Sequence, residues 1–339
     1  MRAAIAPREQ PSTERLLHVD APAETYWHRR VDELPALLEP GDLVVVNDAA
    51  TLPASLRVIG RDRELRLARR KDTDSDWTAV LFGPGDFRTP TEHRTDPPAV
   101  VVGERLELGD ELVAQVVSID PELPRLIDIR FLATGARLWR ALYRAARPVQ
   151  YAYLARELEL WHFQNVFAAR PWALELPSAG HCFNWELLRA LHARGIGLAH
   201  LTHAAGLSSM GSSELDRRFP LPERYDIGAP AVYAIEATKK RGRRVIAVGT
   251  TVVRALEASY AERSVLAPGE GEARLVIGPG FRPRVVDGIL SGMHERGTSH
   301  FALLEAFAPR ALLEAALESA EQAGYLQHEF GDTTLVLRR

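Results

Sequence analysis

The stretch from Arg243 to Glu257, RRVIAVGTTVVRALE, constrains the fold more than any other. Val245, Ile246, Ala247 and Val248 form a short unbroken apolar run, and a strand reads that way when both its faces are buried. Burial on both faces calls for helices above and below, so the run predicts an α/β protein on a mixed, largely buried sheet. Gly249, Thr250 and Thr251 break the run, and Val252, Val253, Ala255 and Leu256 then recur at helical spacing. A strand that ends in Gly and two hydroxyls before a helix leaves backbone N–H donors free at the helix start. Those donors, with the threonine hydroxyls, suit a carboxylate, a phosphate or a ribose oxygen. Either threonine would serve equally as a helix cap, and the segment alone leaves both readings open.

At 339 residues the chain has length for about two domains. Its net charge of -3 argues against a uniformly basic surface that grips nucleic acid by charge alone, leaving only a local patch for that purpose. One cysteine, Cys182, excludes an intramolecular disulfide and a Cys-based zinc site and points to a reducing compartment. The opening MRAAIAPREQPSTERLL lacks an apolar core of signal-peptide length, and no run of about twenty apolar residues occurs. A cytoplasmic protein without membrane association is expected.

Pro7 and Pro11 prevent a long helix near the start, and Leu34 to Leu38 read as a helical turn closed by Pro40-Gly41. Asp42 to Asn47, DLVVVN, is a second buried-strand run, and it ends in Asn47-Asp48. A carboxylate there sits where open α/β sheets place ligand contacts, or it fixes a turn through its own backbone. Between Leu56 and Ala133 the texture changes to short alternating segments: 64–68, 77–82, 99–108, 111–119 and 125–132. Such spacing predicts a small antiparallel β-barrel domain over 59–133, inserted into an α/β main domain of 1–58 and 134–339. The loop 83–98, rich in Pro, Thr and charge, is expected to be mobile.

After a helix over 137–147 the α/β rhythm returns, with helices over 185–193 and 230–240 and a strand from Gly197 to Leu201. Further strands are expected over 274–277, 284–290 and 333–337, and helices over 301–307 and 310–324. Lys239, Lys240, Arg241, Arg243 and Arg244 crowd one helix end, as a phosphate site or, more simply, as solvated cations complementing the helix dipole.

His294, Glu295 and His300 lack the helical HExxH spacing, and His200 and His203 on a strand would face opposite sides, so no metal is assigned. Neither the phosphate loop of nucleotide triphosphatases nor the dinucleotide GxGxxG fingerprint is present. Cys182, in PSAGHCFN before a helix, is either an activated thiol or a small packed residue. Ser208 and Ser209 lack a GxSxG elbow. Asp48, the 177–184 loop, His203, the 249–251 turn, Asp287, His294 and Asp332 all fall near ends of expected strands, as the wall of a ligand crevice would.

Five segments carry a resemblance: PGDLVVVNDAATLPASL (40–56), LPSAGHCFNWELL (176–188), GRRVIAVGTTVVRALE (242–257), GPGFRPRVVDG (278–288) and FGDTTLVL (330–337). In order, and over nearly the whole chain, they resemble the S-adenosylmethionine:tRNA ribosyltransferase-isomerase family of queuosine biosynthesis. The resemblance implies an α/β domain with an inserted β-barrel, S-adenosylmethionine as a substrate, no metal, and tRNA as the partner. It also implies the chemistry. The sulfonium acidifies the adjacent 5′ carbon so that a base removes a proton, adenine is lost, and the aminomethyl group of a 7-deazaguanine in tRNA attacks the sugar. Methionine then leaves as the ring rearranges. On this resemblance Thr250, Thr251, Arg254, Asp48 and Asp287 would surround the cofactor, Pro177, Ser178 and Gly180 would form the facing loop, and His203, His294 or Cys182 would handle protons.

The chain departs from the family pattern at several of these places. Asp48-Ala49-Ala50-Thr51-Leu52-Pro53-Ala54-Ser55-Leu56 lacks two arginines, and Cys182 stands where the family has histidine. Gly292-Met293-His294-Glu295-Arg296-Gly297-Thr298-Ser299 lacks a lysine and gains a glutamate. Fewer cations mean weaker handling of an anionic partner. A small-molecule acceptor, another S-adenosylmethionine reaction such as elimination, and a non-catalytic binder of S-adenosylmethionine or tRNA therefore stay open as alternatives.

Overall fold

The computed structural model describes residues 1–10, 13–208, 210–217 and 221–338. Pro11 and Ser209, both singled out in the sequence, lie outside the described residues.

Nine strands make the central sheet: β1 (Arg15–Asp20), β2 (Thr25–Arg30), β3 (Leu43–Asn47), β4 (Gly197–His203), β5 (Glu223–Ile227), β6 (Val245–Val248), β7 (Gly269–Ala273), β8 (Gly288–Gly292) and β9 (Thr333–Leu337), in the order β7-β5-β4-β3-β6-β8-β9-β1-β2. The inner four, β4, β3, β6 and β8, run parallel, so their carboxyl ends open onto one edge. Antiparallel β5 and β9 flank them. The apolar run LVVV follows from this placement. Leu43 and Val45 pack into one cluster with Ile235, Val252 and Leu256, while Val44 and Val46 pack into another with Leu34, Leu187 and Leu191. Each side chain of the alternating pair meets a helix, so neither face carries a polar residue. The longer helices are α1 (Gly135–Ala145), α2 (Trp185–Ala193), α3 (Ala229–Lys240), α4 (Thr250–Arg263) and α5 (Arg310–Gln322).

The expected strands of the middle region form one six-stranded antiparallel sheet from Ser55–Arg57 to Leu126–Phe131. It begins at Ser55, ahead of the boundary expected at 59. A hydrogen bond from Ile59 N to Glu107 O, 2.8 Å, nearly closes it into a barrel, and Leu138 and Leu142 of α1 pack into its core.

Three local expectations are corrected. The loop 83–98 is tied down: Arg94 holds the Glu64 carboxylate and the Asp86 carbonyl, and Thr91 is buried. The strand expected at 274–277 lies earlier, at Gly269–Ala273, and the one expected at 284–290 starts only at Gly288. The cationic end of α3 is solvated only in part: Lys240 and Arg241 are exposed, whereas the other three cations meet carboxylates. Lys239 pairs with Asp287 at 3.1 Å, Arg243 with Glu39 at 2.6 Å and Arg244 with Asp42 at 2.6 Å, which fastens α3 to the sheet.

Candidate active site

The carboxyl edge of the parallel strands gathers most of the anticipated groups. At the end of β6 Gly249 takes φ 92°, a backbone geometry that disfavours a side chain, and turns the chain into α4. Among the described residues no side chain caps α4, so the capping role open to Thr250 and Thr251 is not taken and the first N–H donors are left without a side-chain partner. A β-carbon placed on Gly249 would lie 3.4 Å from the Ala179 methyl, so the Pro-Ser-Ala-Gly loop sits directly on this turn. Pro177, Ser178 and Gly180 are held there by Asn165, whose amide donates to the Pro177 carbonyl at 3.2 Å. From β3, the Asn47 amide reaches the His203 carbonyl at 3.0 Å and Thr251 Oγ1 at 3.5 Å, while its carbonyl accepts from His203 N at 2.9 Å. One side chain thus ties three strand ends together.

Thr250, Thr251 and Arg254 share a face of α4, being three and four residues apart. Arg254 does not point into an open crevice. Its guanidinium holds the carboxylate of Glu223 from β5 and donates to the Ala273 carbonyl at 3.0 Å. Burial draws its pKa down to about 10. Glu223 also accepts from Gly206 N at 2.7 Å and lies 3.6 Å from His203 Nε2. His203 is fully buried, and neither ring nitrogen has a hydrogen-bond partner among the described residues. Burial, with the Arg254 charge adding to it, lowers its pKa to about 3, so the imidazole is neutral at pH 7. A neutral ring with an open nitrogen can accept a hydrogen bond or a proton from a bound group, and the acidic group beside it, the Glu223 carboxylate, is itself paired with Arg254.

His294 follows β8 on the same edge. Its Nε2 lies 2.7 Å from Ser291 Oγ, and its ring stacks on His300 with centroids 4.9 Å apart. Burial, then the charge of His300, holds its pKa well below the ordinary value, and Arg254 acts likewise on His300 behind burial. Both anticipated histidines therefore stand neutral, His203 under the direct influence of Arg254 and His294 stacked on the ring that Arg254 also influences.

Other anticipated residues do not join this group. Asp287 lies at the amino ends of β6 and β8, the opposite edge of the sheet, where it accepts from Val245 N at 3.0 Å and from Lys239. Its expected place beside the cofactor is corrected on that ground: it is a buried anchor between strands. Cys182 is buried and donates to the Ala179 carbonyl at 3.5 Å, and burial, with the charge of Glu14, pushes its thiol up. That is a packed residue rather than an activated one. Asp48 is on the correct edge but turns to Thr202 Oγ1 at 2.5 Å and to exposed His200 at 3.0 Å, away from His203. Asp332 is consumed by Arg8 and by the backbone N–H groups of Arg15 and Leu326. Glu223 and Asn47 carry more of the site than the sequence disclosed. Asn47 was visible as the last residue of a buried run, whereas Glu223 sits in an ordinary alternating strand, ERYDI, with nothing local to single it out.

An open α/β sheet with ligand-ready groups at the carboxyl edge of its parallel strands, joined to a small barrel, defines an enzyme that transforms a bound small molecule. The family model described as "Queuosine biosynthesis protein" matches residues 1–336, and the chain belongs to that family. It is 32% identical to the S-adenosylmethionine:tRNA ribosyltransferase-isomerase of Acidiphilium cryptum (strain JF-5), over 99% of this chain and 96% of that one. It is 34% identical to the protein of the same name from Gloeobacter violaceus, over 98% of this chain and 92% of that one. The crystal structure of an S-adenosylmethionine tRNA ribosyltransferase from Thermotoga maritima superposes with a TM-score of 0.55 at 23% identity, covering 99% and 96% of the two chains, and shares the fold. Among the described residues no helix is long and apolar enough to cross a membrane.

Proposed function

We propose that this chain is an S-adenosylmethionine:tRNA ribosyltransferase-isomerase that moves the ribosyl part of S-adenosylmethionine to a 7-aminomethyl-7-deazaguanine in tRNA. The relatives of that name, matched over nearly their full lengths, support the activity. The observation that carries it to particular residues is the seating of the Pro-Ser-Ala-Gly loop on the uncapped start of α4. The N–H groups of Thr250 and Thr251 and the Thr251 hydroxyl suit the carboxylate or ribose oxygens of S-adenosylmethionine. Pro177, Ser178 and Gly180 close over it, and Asn47 sets the width between strand ends. His203, neutral and backed by Glu223, takes the proton from the 5′ carbon, with His294 as the second proton carrier. Residues 59–133 act as an inserted domain beside this site, and the enzyme works in the cytoplasm with its tRNA.

Incubation with labelled S-adenosylmethionine and tRNA bearing the aminomethyl base should release adenine and methionine in equal amounts. His203→Ala should abolish that release while the protein still binds S-adenosylmethionine. Recovery of intact S-adenosylmethionine from the wild-type protein with its tRNA would overturn the proposal.

A further inference from the structure

Trp172 lies in a short strand, Arg170–Ala173, that pairs parallel with Ala49–Thr51, the segment leaving the carboxyl end of β3. Three guanidinium groups surround its ring. The central carbon of Arg170 lies 4.3 Å from the ring centroid, that of Arg224 4.5 Å and that of Arg70 5.8 Å. They come from three elements: Trp172's own strand, β5, and the strand Glu64–Arg70 of the six-stranded sheet. The ring therefore marks the line along which the two sheets meet.

Two of the three charges are answered. Arg170 holds Asp226 at 2.5 Å and the Thr202 hydroxyl at 3.2 Å, and Arg224 holds Glu270 at 2.5 Å. Neighbouring Arg69 is taken by Glu272. The Arg70 side chain makes no hydrogen bond or ion pair among the described residues and is only partly exposed. Burial, then the charge of Arg224, presses its pKa down; Asp74 and Glu270 oppose this, and Arg170 adds to it. Ring quadrupole and like charges leave it attracted to Trp172 yet repelled by its neighbours, a balance that an added anion would shift toward binding. A cleft lined by Arg70, Trp77, Trp172, Gly206, Glu223 and Arg224 opens beside it. Part of its lining is Glu223, the carboxylate that holds Arg254 and lies 3.6 Å from His203.

We infer that Arg70, set against Trp172, binds a phosphodiester of the acceptor RNA next to the nucleotide being modified. The inference rests on the tRNA reading above and adds to it the surface along which the strand enters. A phosphodiester fits for three reasons. It is the anion that a chain of net charge -3 must collect with a local patch. The cleft beside Arg70 is lined from both sheets, by Arg69, Arg70 and Trp77 on one side and Glu223 and Arg224 on the other. The faces of Trp172 are already occupied by guanidinium groups, so the ring orients cations and leaves backbone contact as the mode of binding.

The test is fluorescence anisotropy with unmodified tRNA over a salt series, beside calorimetry with S-adenosylmethionine alone. Arg70→Ala should weaken tRNA binding roughly tenfold and flatten the log–log salt dependence by about 0.7 to 0.9, the value for one lost phosphate contact. Binding of S-adenosylmethionine and the melting temperature should not change. Trp172→Ala should weaken tRNA likewise, and Trp172→Phe should restore most of it. Wild-type affinity and slope in Arg70→Ala, with a wild-type protein that does bind tRNA, would overturn the subsite and spare the broader reading. Equal losses toward tRNA and S-adenosylmethionine would make Arg70 structural, and that also overturns it. A wild-type protein that binds no tRNA removes both readings together.

Discussion

Removing the Arg254 side chain should destabilise the fold as well as the site. The side chains of Arg254 and Glu223 are only 12% and 9% exposed. Burial draws the arginine pKa from its ordinary value down to about 10. At about 1.4 kcal/mol per pH unit that drop is worth roughly 3 kcal/mol, a measure of how little solvent supports the charge. In Arg254→Ala the Glu223 carboxylate would face only Gly206 N–H and a neutral imidazole. Stranding one partner of a buried pair costs about 3–5 kcal/mol. For a chain of this size that is a fall of about 4–7 °C in melting temperature. Arg254→Met with Glu223→Gln removes both charges and should recover about 2 kcal/mol or more of the loss, since no ion is left unpaired. Urea unfolding of the wild type, both single variants and the pair forms a double-mutant cycle that isolates the coupling. An Arg254→Ala protein as stable as wild type, or a double variant no better than it, would refute the buried-pair account. Glu257, three residues on in α4 and also buried, is not the partner of Arg254. The structure gives Glu257 another task, accepting the backbone N–H groups of Arg284, Val285 and Val286 at 2.8–3.0 Å.

Thr251→Val keeps the shape of the α4 start but removes a hydroxyl, and it should raise the dissociation constant for S-adenosylmethionine roughly fivefold with no change in melting temperature; calorimetry beside a thermal melt checks this. Glu14 should make stability depend on pH. Burial, only partly opposed by Arg8, lifts it from 4.5 to about 8, so between those values the folded state holds a proton that the unfolded chain has lost. Stability should therefore fall as pH rises through that window, and Glu14→Gln should flatten the decline, as melting temperatures at a series of pH values would show.

Much of the architecture is legible in the chain because burial and periodicity act locally. The runs VIAV and LVVV could only be strands covered on both faces, and both are. The helix over Trp185–Ala193 and the closing strand Thr333–Leu337 are read to the residue, the first with Asn184 as its cap. The alternating segments of the middle region form their antiparallel sheet. Opposite orientation of His200 and His203 follows from strand geometry alone: the first is exposed and the second fully buried. The loop 83–98 misleads because composition reports its polarity but not the anchors Glu64 and Gly211 that meet it.

Site residues are harder to read, because a side chain's partner is set by strand order and direction. The segment RRVIAVGTTVVRALE by itself determined a doubly covered strand, a tight glycine turn and a helix whose first donors point outward. Nothing in it says that β5 will run antiparallel beside β4 and bring Glu223 to Arg254. Nor does VVDG say that its aspartate stands at the amino edge of the sheet, a strand's length from the Gly249 turn. Whether a cation meets solvent, phosphate or a buried carboxylate is likewise a property of the assembled sheet, as Lys239 and Arg244 show. Local propensity acts over a few residues, whereas these pairings join positions far apart in the chain, and only the folded arrangement brings their charges close enough to choose one another.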